Sequence, residues 1–243
     1  MRRFLFNKEN IKNGVVSLEP DQSHHLINVL RMKQGEDVVL IDRNLGSFIA
    51  RIIDIKNQKA ILEIRESIKG EKNSVNIAVF QSLLPRGRMD GLIRPLTEIG
   101  IDMFVPIISK RCVPKITAQQ GLIKRQRWER IALESAKQCG INKIPEIFMP
   151  ICIRDAFLMA KNAGLILMPT LIGKREGIDK ALKDSMNSVS IFIGPEGDFT
   201  LDEVKMGMEF GARIVDLGEN VLRSETAAVY TASIVHFVCY RRL

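Results

Sequence analysis

No run of eighteen apolar residues occurs in the 243-residue chain, so a membrane-spanning helix is not expected. The amino terminus, MRRFLFNK, has too short an apolar stretch for a secretory leader, and cytoplasm is the expected location. Cysteine is sparse. Cys112, Cys139, Cys152 and Cys239 include no C-x-x-C pair, which speaks against a zinc site and against a disulfide framework. His24, His25 and His236 lack metal-ligand spacing among themselves or with cysteine, so no metal is expected. Nucleotide signatures are missing too. The two glycine-marked turns of the carboxyl-terminal third carry neither the Lys-Ser/Thr of a phosphate loop nor G-x-G-x-x-G.

What is present is a globular composition, 46% hydrophobic, with a net charge of +8. That length and apolar content support one large domain or two ordinary ones. The charge is uneven. Residues 1–72 hold thirteen Lys/Arg against ten Asp/Glu, residues 84–130 ten against four, and residues 131–243 thirteen against fourteen. The positive excess sits in 84–130, as for a chain that meets an anionic partner, although a solvated face has the same composition.

The two turns organise the rest. The first follows the apolar run 189–193 and reads Gly194, Pro195, Glu196, Gly197, Asp198, Phe199, Thr200. Thr200 with Glu203 three residues on forms a capping box for the next helix. The second turn follows 214–217 and runs from Gly218 to Arg223, before Ser224, whose hydroxyl is expected to cap a helix reaching to about Cys239. Strand, helix and strand make a βαβ unit, so the two strands are expected to be parallel neighbours, with both turns at the carboxyl edge of one sheet. Ligands of open α/β sheets bind at that edge. Glu196 and Asp198 would repel an anionic pyrophosphate, which favours a neutral or cationic ligand.

Ahead of these turns, residues 17–32 read as a turn leading to a helix from about His24 to Met32. Residues 37–42, 47–55 and 59–65 read as three strands of an antiparallel sheet or small barrel, with turns at 44–46 and 57–58. The polar KGEKNS at 69–74 is the expected domain boundary, giving domains of 1–72 and 73–243. Beyond it comes a strand over 75–84, a basic turn at 85–88 and a helix to Gly100 that Pro95 should kink or break. A strand follows at 104–108, then a long basic connection at 109–127 that leads to a helix over 128–139. Further elements are expected at 145–148, 153–162, 164–168 and 178–186. Strands alternating with helices predict a mostly parallel α/β sheet.

IGPEG opening a helix, followed by LG, NVLR and SETA, resembles the cofactor-binding turns of the SPOUT RNA methyltransferases, most of all the bacterial family that methylates N3 of a uridine in 16S ribosomal RNA. HHLINVLRMKQGE, MDGLIRPLTEIGIDMFVPIISKRC with its Thr97-Glu98-Ile99-Gly100, and ESAKQCGINKIPEI extend the resemblance over most of the chain. It departs at Ile141, where the family usually has arginine, and at Asp198, where glycine is commoner; Asp198 can hold a left-handed backbone at modest cost.

The resemblance implies an α/β SPOUT domain with a carboxyl-terminal trefoil knot, an amino-terminal PUA-like β-barrel, and a homodimer. It implies S-adenosylmethionine as cofactor, held by Leu167, Met168, Pro169, Thr170, Gly194, Pro195, Glu196, Gly197, Leu217, Gly218, Asn220, Val221 and Leu222. As catalytic groups it suggests Arg223, to stabilise charge on the uracil carbonyls, Glu196 facing the sulfonium, and Glu225 as a candidate base. The alternative for Arg223 is a salt bridge to Glu225 or Glu196. His25, Arg31, Lys33, Arg86, Arg88, Lys110 and Arg111 become candidate contacts to 16S ribosomal RNA or the 30S subunit. Two other readings share these features: a SPOUT ribose 2′-O-methyltransferase, and a non-catalytic RNA-binding or ribosome assembly factor.

Overall fold

Alternation of buried and exposed side chains, short in the first third and replaced by fully buried runs later, builds two different sheets. A computed structural model describes residues 1–42, 46–68, 75–85, 87–141, 143–182 and 186–240. The chain divides into one unit of Met1–Lys72 with Ala136–Lys143 and another of Asn73–Ser135 with Ile144–Leu243. The expected boundary at 69–74 lies outside the described residues.

The first unit begins with β1 (Arg3–Leu5), β2 (Ile11–Lys12) and β3 (Val15–Ser17), strands too short for alternation to reveal. Then come α1 (Pro20–His24), β4 (Asp37–Asp42), β5 (Gly46–Lys56) and β6 (Lys59–Ile68). They form one sheet in the order β1-β4-β5-β6-β3-β2, antiparallel except for the β1–β4 pair. Asn57 and Gln58, at φ 49° and 60°, make the tight turn that joins β5 to β6. Of the 44–46 turn only Gly46 is described, at φ 87°. Phe4, Leu18, Leu26, Leu40, Ile52 and Leu62 pack the core, each burial stabilising by about 2 kcal/mol.

The helix expected from about His24 instead starts at Pro20, and a π-helical turn, His25–Val29, follows it. Proline pre-sets the first helical turn. The Ser23 hydroxyl, donating to Leu18 O at 3.1 Å and accepting from Ala60 N at 3.2 Å, fastens the helix to the sheet.

The second unit carries β7 (Asn76–Ser82), α2 (Arg88–Ile99), β8 (Met103–Ile108), α3 (Ala118–Cys139), β9 (Glu146–Ile147), β10 (Ile151–Cys152) and α4 (Ile153–Ala160). It continues with β11 (Leu165–Pro169), β12 (Glu176–Gly177), α5 (Ile178–Ala181), β13 (Ser188–Ile193), α6 (Leu201–Glu209), β14 (Ala212–Asp216) and α7 (Ser224–Tyr240). The sheet runs β10-β8-β7-β13-β11-β14-β12, with β9 beside β8, and every pairing is parallel. Under it Phe80, Phe192 and Phe157 stack at 4.4 and 4.3 Å between ring centres.

Four expectations change. β13 and β14 are parallel but not neighbours: β11 lies between them and pairs with both. Every residue of β11 is buried, which suits a strand flanked on both edges and covered on both faces. Pro95 lies within one uninterrupted helix, because burial of Met89, Leu92, Ile93 and Leu96 outweighs one lost hydrogen bond. The basic connection is loop only as far as Thr117, after which α3 begins. Its start is a capping box that the sequence displays: Gln120 N donates to Thr117 Oγ1 at 3.3 Å and Thr117 N to Gln120 Oε1 at 3.0 Å. The helix expected over 178–186 closes at Ala181, with Leu182 extended and 183–185 outside the described residues.

Candidate active site

Phe199 is fully buried among the stacked rings, and this anchor draws the turn after β13 down onto the sheet edge. Asp198 N donates to Pro195 O at 2.9 Å, closing the turn, and Asp198 holds φ 62°. A Cβ on Gly194 would come within 3.2 Å of Asp198 Oδ1 and of Phe199, so glycine here makes room for the chain's own turn. Thr200 and Glu203 form the expected capping box. The buried Glu203 carboxylate also accepts from Lys110 N at 2.7 Å, and the Arg111 guanidinium donates to Gly197 O at 2.7 Å and Phe199 O at 3.2 Å. The loop after β8 therefore braces the turn after β13.

Ser224 ties that turn to the one after β14. Its hydroxyl donates to Gly194 O and accepts from Gln81 Nε2 at 2.9 Å, so it does not serve as the helix cap expected of it. The helix is initiated by the carbonyl of Arg223, which accepts from Ala227 N at 2.8 Å. Asp198 makes the third tie, accepting from Thr170 Oγ1 at 2.8 Å and Leu171 N at 2.7 Å at the end of β11.

Three strand ends thereby enclose an open cleft of about 480 Å3. Its walls include Pro169 and Thr170 after β11, Gly194, Pro195 and Glu196 after β13, and Leu217, Gly218, Asn220, Val221, Leu222 and Arg223 after β14. Leu167 and Met168 do not line it. Both are wholly buried, because consecutive side chains of a strand point to opposite faces and β11 is covered on both. Gly197 is also outside the lining, its carbonyl engaged by Arg111.

The charges distribute unevenly. Arg88 lines the cleft with its guanidinium on Glu196 and 3.8 Å from Glu225. Glu225 is not part of the lining, and its Oε2 is buried without a hydrogen-bond partner. Arg223 is exposed and forms no ion pair among the described residues, so neither glutamate takes it. Arg175, Asp198 and Asp216 also line the cleft. Arg175 was not expected, and no pattern in KREG singles it out. Arg213 forks onto Glu176, Nε to Oε1 at 2.6 Å, and donates to Ala181 O at 2.9 Å. That carboxylate holds the guanidinium pKa above its usual value.

The expected RNA contacts are divided between the two units. Arg88 and Arg111 are engaged at the cleft turns, and Lys110 is exposed beyond its backbone bond to Glu203. His25, Arg31 and Lys33 are exposed in the first unit, Arg31 at φ 53°. Arg86 lies outside the described residues. Among the described residues no group of three His, Cys, Asp or Glu is placed to hold a metal, and no helix is long and apolar enough to cross a membrane.

A family model for an RNA methyltransferase domain matches residues 71–236, and one for an RNA methyltransferase PUA domain matches residues 18–65. The chain belongs to the RNA methyltransferase family. Within that family, ribosomal RNA small subunit methyltransferase E of Mesomycoplasma hyopneumoniae is 30% identical over 230 residues, 95% of this chain and 96% of that one. A methyltransferase structure from Legionella pneumophila with bound S-adenosylmethionine superposes with a TM-score of 0.81 at 27% identity, over 97% of this chain and 96% of that one. Ribosomal RNA small subunit methyltransferase E from Neisseria gonorrhoeae, also bound to S-adenosylmethionine, gives 0.79 at 28% identity over 96% of both chains. The family's fold is thus an α/β SPOUT domain with an amino-terminal PUA domain.

Proposed function

We propose that this chain transfers a methyl group from S-adenosylmethionine to N3 of a uridine in 16S ribosomal RNA, acting in the cytoplasm. The observation that carries the reading is the convergence of three strand-end turns, far apart in sequence, on one cleft within the segment matched as an RNA methyltransferase domain. The cleft fits the cofactor: its size lies within the range of small-molecule sites, and Asp216 gives its lining a carboxylate with no ion-pair partner among the described residues, which suits a ligand that bears a sulfonium. Pro169, Thr170, Gly194, Pro195 and residues 217–222 would hold it.

When bound, S-adenosylmethionine supplies an electrophilic methyl. The chain's contribution is positioning and charge. Uridine N3 must lose its proton to solvent water or hydroxide, and negative charge then builds on the flanking carbonyl oxygens. Arg223, unpaired at the cleft wall, is the cation suited to stabilise it. Arg88 neutralises Glu196, and Glu225 is turned toward the same guanidinium; this favours Arg223 as the catalytic group over either glutamate as base. The target base must leave its stack to reach such a cleft.

The same reading assigns residues 1–72 to a PUA-like RNA-binding domain and 73–243 to the catalytic one. It includes a homodimer and a knotted carboxyl terminus. For the knot, the support is that α7 leaves β14 yet packs against β7 and β13 nearer the sheet centre. The exposed Lys110, His25, Arg31 and Lys33 remain the residues assigned to RNA. The deciding experiment is transfer of tritiated methyl from S-adenosylmethionine to small ribosomal subunits, followed by digestion to nucleosides. Label in 3-methyluridine is the expected result. Label in a 2′-O-methyl nucleoside would reassign the target atom, and no transfer together with no cofactor binding would leave a non-catalytic RNA-binding protein.

A further inference from the structure

Asp198 stands at a position where backbone geometry favours glycine, at φ 62°, and yet it carries a carboxylate. Both oxygens of that carboxylate are spent inside the protein. Oδ1 accepts from Phe199 N at 2.7 Å, while Oδ2 accepts from Leu171 N at 2.7 Å and from Thr170 Oγ1 at 2.8 Å. Thr170 Oγ1 in turn accepts from Ile172 N at 3.2 Å, so the segment leaving β11 is folded around the same group. Gly194 completes the set, because a Cβ there would meet Asp198 Oδ1 at 3.2 Å.

The two partners of this contact belong to different walls of the cleft: Thr170 and Leu171 to the one after β11, Asp198 to the one after β13. Those strands are adjacent and parallel, so their register fixes the strand ends but not the loops beyond them. A charged acceptor bridging two donors across that gap sets the loop spacing instead, and hydrogen bonds to a charged acceptor are the stronger kind.

We propose that Asp198 is a positioning residue, a latch that sets the distance between the β11 and β13 walls and thereby the affinity for S-adenosylmethionine. This rests on the functional reading above. Asp198→Gly keeps the backbone conformation without strain and removes the latch together with the acceptor for Phe199 N, whereas Asp198→Asn keeps one acceptor toward Leu171 and Thr170.

Three readouts test it: amide hydrogen exchange at Leu171 and Phe199 in the cofactor-free protein, calorimetric Kd for S-adenosylmethionine, and steady-state methyl transfer. Asp198→Gly is expected to speed exchange at both amides and to raise Kd and KM for the cofactor about tenfold, with a smaller fall in kcat. Asp198→Asn should recover most of that affinity. A Kd for Asp198→Gly equal to that of the parent protein overturns the latch, as does unchanged exchange at Leu171. Equal weakening by Asn and Gly overturns it in favour of a role for the negative charge alone. Failure of the parent protein to bind S-adenosylmethionine would overturn the functional reading and this inference with it.

Discussion

Between residues 194 and 200 the polar groups are tied to other elements: Gly194 O to Ser224, Gly197 O to Arg111, Asp198 to Thr170 and Leu171, Thr200 to Glu203. Between residues 217 and 223 the side chains make no hydrogen bond or ion pair among the described residues, and Val221 is 73% exposed. Both stretches line the same cleft. One wall is organised before any ligand arrives, which lowers the ordering cost of binding. The other has free side chains, Arg223 among them, and suits contact with a large partner that must come and go.

The sharpest way to break that contrast is Arg223→Ala. Because this side chain braces nothing, the substitution should leave the thermal midpoint and the cofactor Kd unchanged while slowing single-turnover methyl transfer by about 10²-fold or more. Unaltered turnover would remove Arg223 from the chemistry. Glu203→Ala attacks the braced wall instead. It deletes the capping box and strands Lys110 N, so a loss of about 2 kcal/mol in urea unfolding is expected. No loss would mean that Phe199 and the ties from Arg111, Ser224 and Asp198 hold the turn without Glu203.

A smaller effect is expected at Asp37 in the first unit. The Arg51 guanidinium, bonded to it at 2.7 and 2.9 Å, holds its carboxyl below the usual carboxylate range. A lowered folded pKa contributes stability above the unfolded value, about 3.9, and that contribution is lost as pH falls through the folded value. Asp37→Asn should therefore be slightly less stable than the parent at pH 7, with the difference vanishing at the acid end of a pH series. A difference that grows on acidification would contradict the pairing. Least of all should come from Val221→Ala, within about 0.5 kcal/mol by thermal unfolding, as for an unpacked surface residue. A larger drop would show that the second wall is organised after all.

Much of this contrast was legible beforehand. Thr200 and Glu203 announced their capping box, and the turns at 194–200 and 218–223 were marked by glycine and proline, because local backbone chemistry needs only nearby residues. Thr117 and Gln120 carried the same kind of signal, and the long basic loop shortens once that signal is read. Arg223's freedom was not legible. It depends on Arg88, more than a hundred positions earlier, reaching Glu196 and Glu225 first. Nor was the role of Ser224: its position after a turn suggests a cap, but the carbonyl of Gly194 and the amide of Gln81 compete for its hydroxyl.

By itself, the sequence determined that strands and helices alternate through the second unit, that its sheet would be parallel, and which turns would fall on its carboxyl edge. Those follow from periodicity and from backbone preferences, which act over a few residues. Only the tertiary structure decided that β11 enters between β13 and β14, and that Asp198 reaches across to Thr170. It also decided that Leu167 and Met168 face the core. Strand order and side-chain pairing are settled by competition among distant partners for the same buried space and the same hydrogen bonds, and no local pattern records the winner.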